Sequence, residues 1–264
     1  MENLSLTDNL PNEMLNAVFH YLERKDLTQA TLVCRLWRDL GEDPCLWQEV
    51  QICVTIDNIS KIHNVLSLRR LALIKRIEFT EFTVAPRTKK RYVPFPYACV
   101  NFEVLEEVCK DIGQLINLQY IDLTDIDLSG LDPALLSQFV RKGSHLKLAK
   151  THLKPNQLKE LFDTMKTRPS MRALDISRNR MSSINPEILA ETVNKLEAIS
   201  MNGCFLGIQQ VTHLFGQIYR ETRLVKLEIG CNDLSFLNGK VLVGSIKKMK
   251  HLALFDTHLD KEIV

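Results

Sequence analysis

The side chains that could do chemistry are seven histidines, seven cysteines and a set of acids at related positions. A metal centre needs such groups at ligand spacing, and nucleophilic catalysis needs a thiol or hydroxyl beside a base. No histidine falls in an HExxH motif. The cysteines, Cys34, Cys45, Cys53, Cys99, Cys109, Cys204 and Cys231, contain no CxxC pair and no signature that marks a nucleophile. Their odd number and scatter read as reduced thiols, which points to the cytoplasm or the nucleus. Gly239-Lys240 lacks the upstream glycine of a phosphate-binding loop. Asp122, Asp175 and Glu228 could pass for paired catalytic carboxylates, but they fall at matching places in repeated stretches. Thr151-His152-Leu153 and Thr257-His258-Leu259 recur in the same way. Repetition accounts for these residues without catalysis, so the sequence predicts a non-enzymatic chain with no cofactor and no metal.

Composition agrees. Among 264 residues, 34 basic and 32 acidic side chains leave a formal charge of +2, a balance that supplies no field for nucleic acid or an anionic membrane. Residues 1–11 lack a basic and then apolar leader pattern, and no run of eighteen apolar residues occurs. A soluble protein that is not secreted is the expectation.

The repetition sets the fold. Met171, Leu174, Ile176, Asn179 and Met181 fit LxxLxLxxNxL, as do Leu224, Leu227, Ile229, Asn232 and Leu234. Weaker copies begin at Leu118, Leu196 and Met249, and a degenerate one holds Leu146, Leu148 and Leu153. Val50 and Ile77 anchor two outlying candidates. The anchors Val50, Ile77, Ile121, Leu146, Leu174, Ile199, Leu227 and Leu252 are separated by 27, 44, 25, 28, 25, 28 and 25 residues. One outlier aside, this is a period alternating between two lengths. The amphipathic stretches between strands, such as 156–165, 186–194, 208–219 and 238–246, are each long enough for one helix. The long step contains an insertion at about 83–100, with three prolines, a basic run at Arg87, Lys89, Lys90 and Arg91, and aromatics Tyr92, Phe95 and Tyr97. It reads as a solvated loop, with substrate contact, nuclear import and nucleic-acid contact as alternatives. After Leu254 only about ten residues remain. A polar lid at 260–262, a partner-covered edge and a shortened form all stay open.

The N-terminal segment is different in kind. Met14, Leu15, Val18, Phe19, Tyr21 and Leu22 recur at helical spacing behind Pro11. Asp26 with Gln29 reads as the N-cap and capping partner of a second helix through Leu27, Ala30, Val33 and Cys34. A third covers Leu36, Trp37 and Leu40 and stops at Asp43-Pro44, with a strand over 50–54 to follow. Cys34 is expected to be a buried small hydrophobe. A unit this short cannot bury so much apolar surface by itself, so a neighbouring domain or a partner must cover it.

Leu10-Pro11-x-Glu13-x-Leu15, Val18-Phe19-x-Tyr21-Leu22, Asp26-Leu27, Ala30, Val33-Cys34-Arg35-x-Trp37-Arg38, Asp43-Pro44 and Leu46-Trp47 together resemble an F-box across about residues 6–49. The strand and helix units resemble leucine-rich repeats of the longer variety found in ribonuclease inhibitor. The combined expectation is an α/β chain: a three-helix, all-α F-box over 1–48, then a horseshoe-shaped leucine-rich-repeat solenoid over 49–264. The resemblance implies a substrate-recognition subunit of a Skp-cullin-F-box ubiquitin ligase. Its F-box would bind a Skp-type adaptor through Leu10, Pro11, Leu15, Phe19, Leu22, Val33 and Trp37, and through it a cullin-RING scaffold, with Trp47 docked on the repeats. The repeats would deliver a protein substrate for degradation. The alternative is a repeat scaffold or inhibitor whose F-box serves complex membership or its own turnover. In the LxxLxLxx pattern the residues between core leucines point away from the interior. The expected substrate face is therefore Tyr120, Asp122, Asp125, Lys147, Asp175, Arg178, Asn202, Glu228, Cys231, Phe255 and Asp256.

Overall fold

The computed structural model describes residues 10–53, 73–80, 102–115, 117–167 and 170–259. The expected insertion at 83–100, the tail at 260–262 and position 54 lie outside them.

Three short helices open the chain: α1 (Asn12–Phe19), α2 (Arg24–Ala30) and α3 (Arg35–Gly41). A 3-10 turn, Pro44–Trp47, leads into β1 (Glu49–Cys53). Leu15, Phe19, Leu27, Ala30, Leu46 and Trp47 are buried. Phe19 meets Trp37 edge to face, with ring centroids 5.4 Å apart, a favourable aromatic geometry. Trp47 donates from its indole to the Gly41 carbonyl at 2.8 Å and joins the same apolar cluster as the strands that follow. Two local expectations change. α2 begins two residues before Asp26, which therefore sits in the first turn and favours the helix dipole instead of capping it; Glu23 is the N-cap and makes no side-chain bond. α2 also ends at Ala30, so Val33 and Cys34 fall in the turn beyond it. Cys34 is exposed, not buried, and caps α3 by accepting from the Trp37 N–H at 3.4 Å.

The rest is one parallel sheet of eight strands in sequence order, each paired with the next. After β1 come β2 (Arg76–Thr80), α4 (Phe102–Gln114), β3 (Tyr120–Asp122), α5 (Pro133–Lys142), β4 (His145–Lys147), α6 (Pro155–Thr167), β5 (Ala173–Asp175), α7 (Pro186–Val193), β6 (Ala198–Ser200), α8 (Ile208–Arg220), β7 (Lys226–Glu228), α9 (Gly239–Ile246) and β8 (His251–Ala253). The register pairs Val50, Ile77, Ile121, Leu146, Leu174, Ile199, Leu227 and Leu252 in unbroken succession, the same eight anchors the spacing identifies. Strands β3 to β8 are three residues long. β3 to β7 bury the central side chain, β8 buries Leu252 only in part, and the flanking two lie at or near the surface, because alternate residues point to opposite faces. This stack of strand and helix units, each touching its neighbours, is the arrangement of a leucine-rich-repeat-like solenoid.

The alternation of 25 and 28 residues has a structural cause. The longer units hold 13-residue helices, α6 and α8. In these, Gln157 and Gln210, 53 residues apart, are buried. The Gln157 amide donates to the carbonyls of Leu128 and Leu131 at 2.8 and 2.6 Å, and that of Gln210 to Met181 and Ile184 at 2.7 Å each. The shorter units start their helices with Asp132, Asn185 or Asn238. The side chain of each accepts from the N–H two residues on, at 2.8 to 2.9 Å. Lys195 and Lys248 then reach back to carbonyls at the ends of α6 and α8.

The asparagines bind one unit to the one before. Asn232 is buried; its Nδ2 donates to Met201 and Ile229 carbonyls at 2.9 Å, and its Oδ1 accepts from the N–H groups of Cys204 and Leu206 at 3.2 Å. Asn179 repeats this against Leu148, Ile176 and Leu153. Where the asparagine is replaced, Thr151 and Thr257 donate to the carbonyl three residues back at 2.7 Å. Cys204 donates its thiol to the Ile176 carbonyl, and burial pushes that thiol up to about 12. Ile126 is simply buried.

Asn232→Ala would leave five backbone groups without this partner in a dry interior. Each unsatisfied group costs on the order of 1 kcal/mol or more, so unfolding free energy should fall by about 3 kcal/mol in chemical denaturation. A loss below about 1 kcal/mol would show that the asparagine does not hold the units together.

Candidate functional site

Two surfaces stand apart from the core. The first is on the three-helix module. Leu15 and Phe19 form one stripe of α1 and are buried, at 3% and 2% exposure, so they hold the module together and do not reach its surface. Met14, Val18 and Tyr21, at i, i+4 and i+7, occupy a different stripe and are exposed, Tyr21 to 90%. Beyond α2, Leu32 (68%) and Val33 (63%) are exposed too, as is Leu36 at the start of α3. Of the residues expected to meet an adaptor, Leu10, Pro11 and Val33 are exposed, and Leu22 and Trp37 are half-buried. The pattern reading missed Met14, Val18, Tyr21, Leu32 and Leu36 as surface. The available signal was the length of the module, which contains more apolar side chains than three short helices can enclose.

The second surface is the sheet face away from the helices. The expected residues fall into two groups. Tyr120, Asp122, Lys147, Asp175 and Glu228 lie on the strands and are half-buried. Asp125, Arg178, Cys231 and Asp256 lie just past them, exposed and with φ between 53 and 63°. They form an edge row, not part of the strand face. Asn202 and Phe255 sit between the two.

On the face itself, charge is largely paired. Arg76 lies 4.0 Å from the Tyr120 ring centroid and bonds Glu78, whose charge, through their hydrogen bond, raises the guanidinium above its ordinary range. Lys147 approaches the same ring at 5.5 Å and Asp122 at 3.3 Å. Tyr120 is thus set among cations, a cation-π arrangement that fixes its ring. Strands β5 and β6 contribute the small side chains Ala173 and Ala198, with a hydrogen-bonded network beside them. Ser177 and Ser200 hydroxyls lie 2.8 Å apart, the Ser200 hydroxyl donates to Glu228 at 3.0 Å, and Asn202 donates to Ser200 and accepts from the Gly230 N–H. Lys226 contacts Glu228 at 2.7 Å, and this hydrogen bond, with that from Ser200 and the Lys226 charge, keeps the carboxyl below its usual range. Phe255 lies against Gly230 so closely that a Cβ there would come within 2.6 Å of its ring. A side chain at this position would have to displace the half-exposed Phe255 ring. Arg76, Glu78, Ser177, Ser200 and Lys226 belong to this face although the motif reading did not name them. Arg76, Glu78 and Ser200 sit one register step from Tyr120, Asp122 and Asp175, which it did name.

Among the described residues, no group of three or more His, Cys, Asp or Glu side chains could hold a metal ion. No helix among them is long and apolar enough to cross a membrane.

Comparison with known proteins places an F-box-like domain at residues 7–53, which takes in the three helices, the 3-10 turn and β1. Among solved structures, the chain is similar to the tropomodulin C-terminal domain of Caenorhabditis elegans: 16% identity over 54% of this chain and 89% of that one, with a TM-score of 0.38.

The Glu228 network gives a pH dependence with a definite sign. A carboxyl held below its ordinary value stabilises the fold in its charged form. That contribution is complete above the unfolded carboxylate range, about pH 4.5, and is lost as pH falls through the lowered value. Glu228→Gln should therefore be less stable than the parent at neutral pH, with the gap narrowing as pH falls below the ordinary carboxylate range in urea titrations. A gap that is unchanged across that range would remove Glu228 from the account.

Proposed function

We propose that this chain is a substrate-recruiting adaptor of a Skp-cullin-F-box ubiquitin ligase. Its F-box-like domain would bind a Skp-type adaptor, and its repeat array would present a protein substrate. The observation that supports this most is the F-box-like domain at residues 7–53, with apolar side chains left exposed on α1 and beyond α2. Leu10, Pro11, Met14, Val18, Tyr21, Leu32 and Val33 would supply the contact, while Leu15 and Phe19 act only by shaping it. An aromatic such as Tyr21, nearly fully exposed, is the type of side chain that anchors interfaces once it is desolvated.

In this reading the chain performs no bond chemistry and works by proximity. Tethering the substrate beside a charged conjugating enzyme turns a bimolecular encounter into one at high effective concentration. The paired charges and shallow centre of the sheet face suit a protein surface with its own polar groups. Cytoplasm or nucleus is the compartment this role requires.

Co-purification from cells tests the proposal. The wild-type chain should retain a Skp-type adaptor and a cullin. Tyr21→Ala with Leu32→Asp should weaken adaptor binding by about a hundredfold, at unchanged thermal midpoint, because both side chains are already exposed. Absence of adaptor and cullin from the wild-type complex would sink the reading. Adaptor binding without any protein that accumulates on depletion of the chain would favour a scaffold in place of a recruiter.

A further inference from the structure

A groove opens between α6 and the start of α7, lined by residues of the helices and of the turn before α7, none of them on the sheet face. Its volume is about 490 Å³, within the range of small-molecule sites. Phe162, Ile184 and Ile188 form its apolar lining, the first two buried and the third half-buried. Asn156, Lys159 and Ser183 line it as well and are exposed, which places polar groups at its mouth.

The two-unit period supplies an internal control. Advancing 53 residues carries Phe162, Ile184, Asn185 and Ile188 to Phe215, Leu237, Asn238 and Val241, so the apolar lining recurs between α8 and α9. The backbone of the turn recurs too. The Ile184 N–H donates to the Met181 carbonyl at 3.0 Å and the Leu237 N–H to the Leu234 carbonyl at 2.9 Å. The N-caps that follow, Asn185 and Asn238, have φ and ψ of −58° and 127° and of −63° and 124°. One position within this turn changes in kind: it is Ser183 in the first copy and Phe236 in the second. Phe236 is half-buried and packed against the core, whereas Ser183 is exposed. Side chains that leave one backbone conformation share their allowed directions. A ring therefore has a place beside the helices in one copy, and in the other the serine leaves that place open. Apolar walls that face no partner atoms forgo the dispersion contacts a ring would restore.

The apolar surface is confined to the groove. Around it the exposed positions of α6 and α7 are charged, among them Lys159, Lys166, Glu187 and Glu191, and Lys166 pairs with Glu191 at 2.8 Å across the two helices. A broad partner surface would have to cover these charges, which a single ring seated in the groove leaves in water. We propose that the groove between α6 and α7 binds a small uncharged aromatic molecule, its ring in the place that Phe236 takes one period later and its polar substituent hydrogen-bonded to Asn156 or Ser183. The site lies apart from the adaptor and substrate surfaces proposed above and does not depend on them.

The test titrates 4-methylphenol, a neutral ring with one hydroxyl, into the purified full chain with its Ile, Leu and Val methyl groups labelled for NMR. The Ile184 and Ile188 methyl signals, assigned by their loss in Ile184→Val and Ile188→Val chains, should shift with a Kd of about 1 mM or tighter. Ser183→Phe returns the ring that the other copy carries and should weaken binding about tenfold or more. That chain should melt no lower than the parent, because the added ring buries apolar surface in space already open, so its lost binding would not reflect unfolding. Phe236→Ser should open the matching groove, and the Leu237 and Val241 methyls, silent in the parent, should then respond as well. Unmoved Ile184 and Ile188 signals, or equal affinity on Ser183→Phe, overturn the proposal. A lower melting point for Ser183→Phe shows that the groove rejects a ring and overturns it too, as does a folded Phe236→Ser chain whose Leu237 and Val241 methyls stay silent. Tighter binding of N-acetylphenylalaninamide than of 4-methylphenol also overturns it, assigning the groove to an aromatic side chain of a partner protein.

Discussion

The structure depends on the rule that every backbone group buried between units must find a partner. A strand of three residues pairs only with its two neighbours, and the chain then turns at once towards a helix. The carbonyls and N–H groups at that turn would be left dry and unpaired. Asn179 and Asn232 meet this need with one side chain each, donating and accepting across two successive units. Thr151, Cys204 and Thr257 meet the smaller share that remains in alternate units. This division of labour gives the array its two-unit period of 53 residues, in which Gln157 and Gln210 recur as well.

The same constraint shapes the surface. The asparagine clamp sits on a left-handed turn of the preceding unit, where His152 and Phe205 have positive φ. What projects from these turns is therefore fixed by the backbone, whatever its own preference. The strand face behaves differently, because adjacent strands bring side chains of opposite charge close enough to pair and so reduce its net field. The result is a hydrogen-bonded centre at β5 and β6, flanked by paired charges on the strands to either side.

The N-terminal module obeys a separate rule. Three helices of seven or eight residues enclose Leu15, Phe19 and Leu27 and little more. Trp47 is buried and joins them to the sheet as one apolar cluster. The apolar residues left over on α1 and after α2 have no place inside, which is why a domain of this size presents a greasy surface.

Periodicity alone determined the solenoid. The eight anchors read from spacing are the eight residues paired across the sheet, and the helices at 156–165, 186–194, 208–219 and 238–246 differ from those observed by at most two residues. Repeats are legible because each unit solves the same burial problem with the same residue types. The F-box pattern was legible for a similar reason, as an ordered set of core and turn residues. Tertiary structure alone decided which of those residues face outward. Leu15 and Phe19 turn in while Met14, Val18 and Tyr21 turn out, since apolar character is the same on both stripes and only packing separates them. It also decided that Arg178 stands at an edge beside Asn202, since the two are 24 residues apart in sequence and only the parallel stacking of units makes them neighbours.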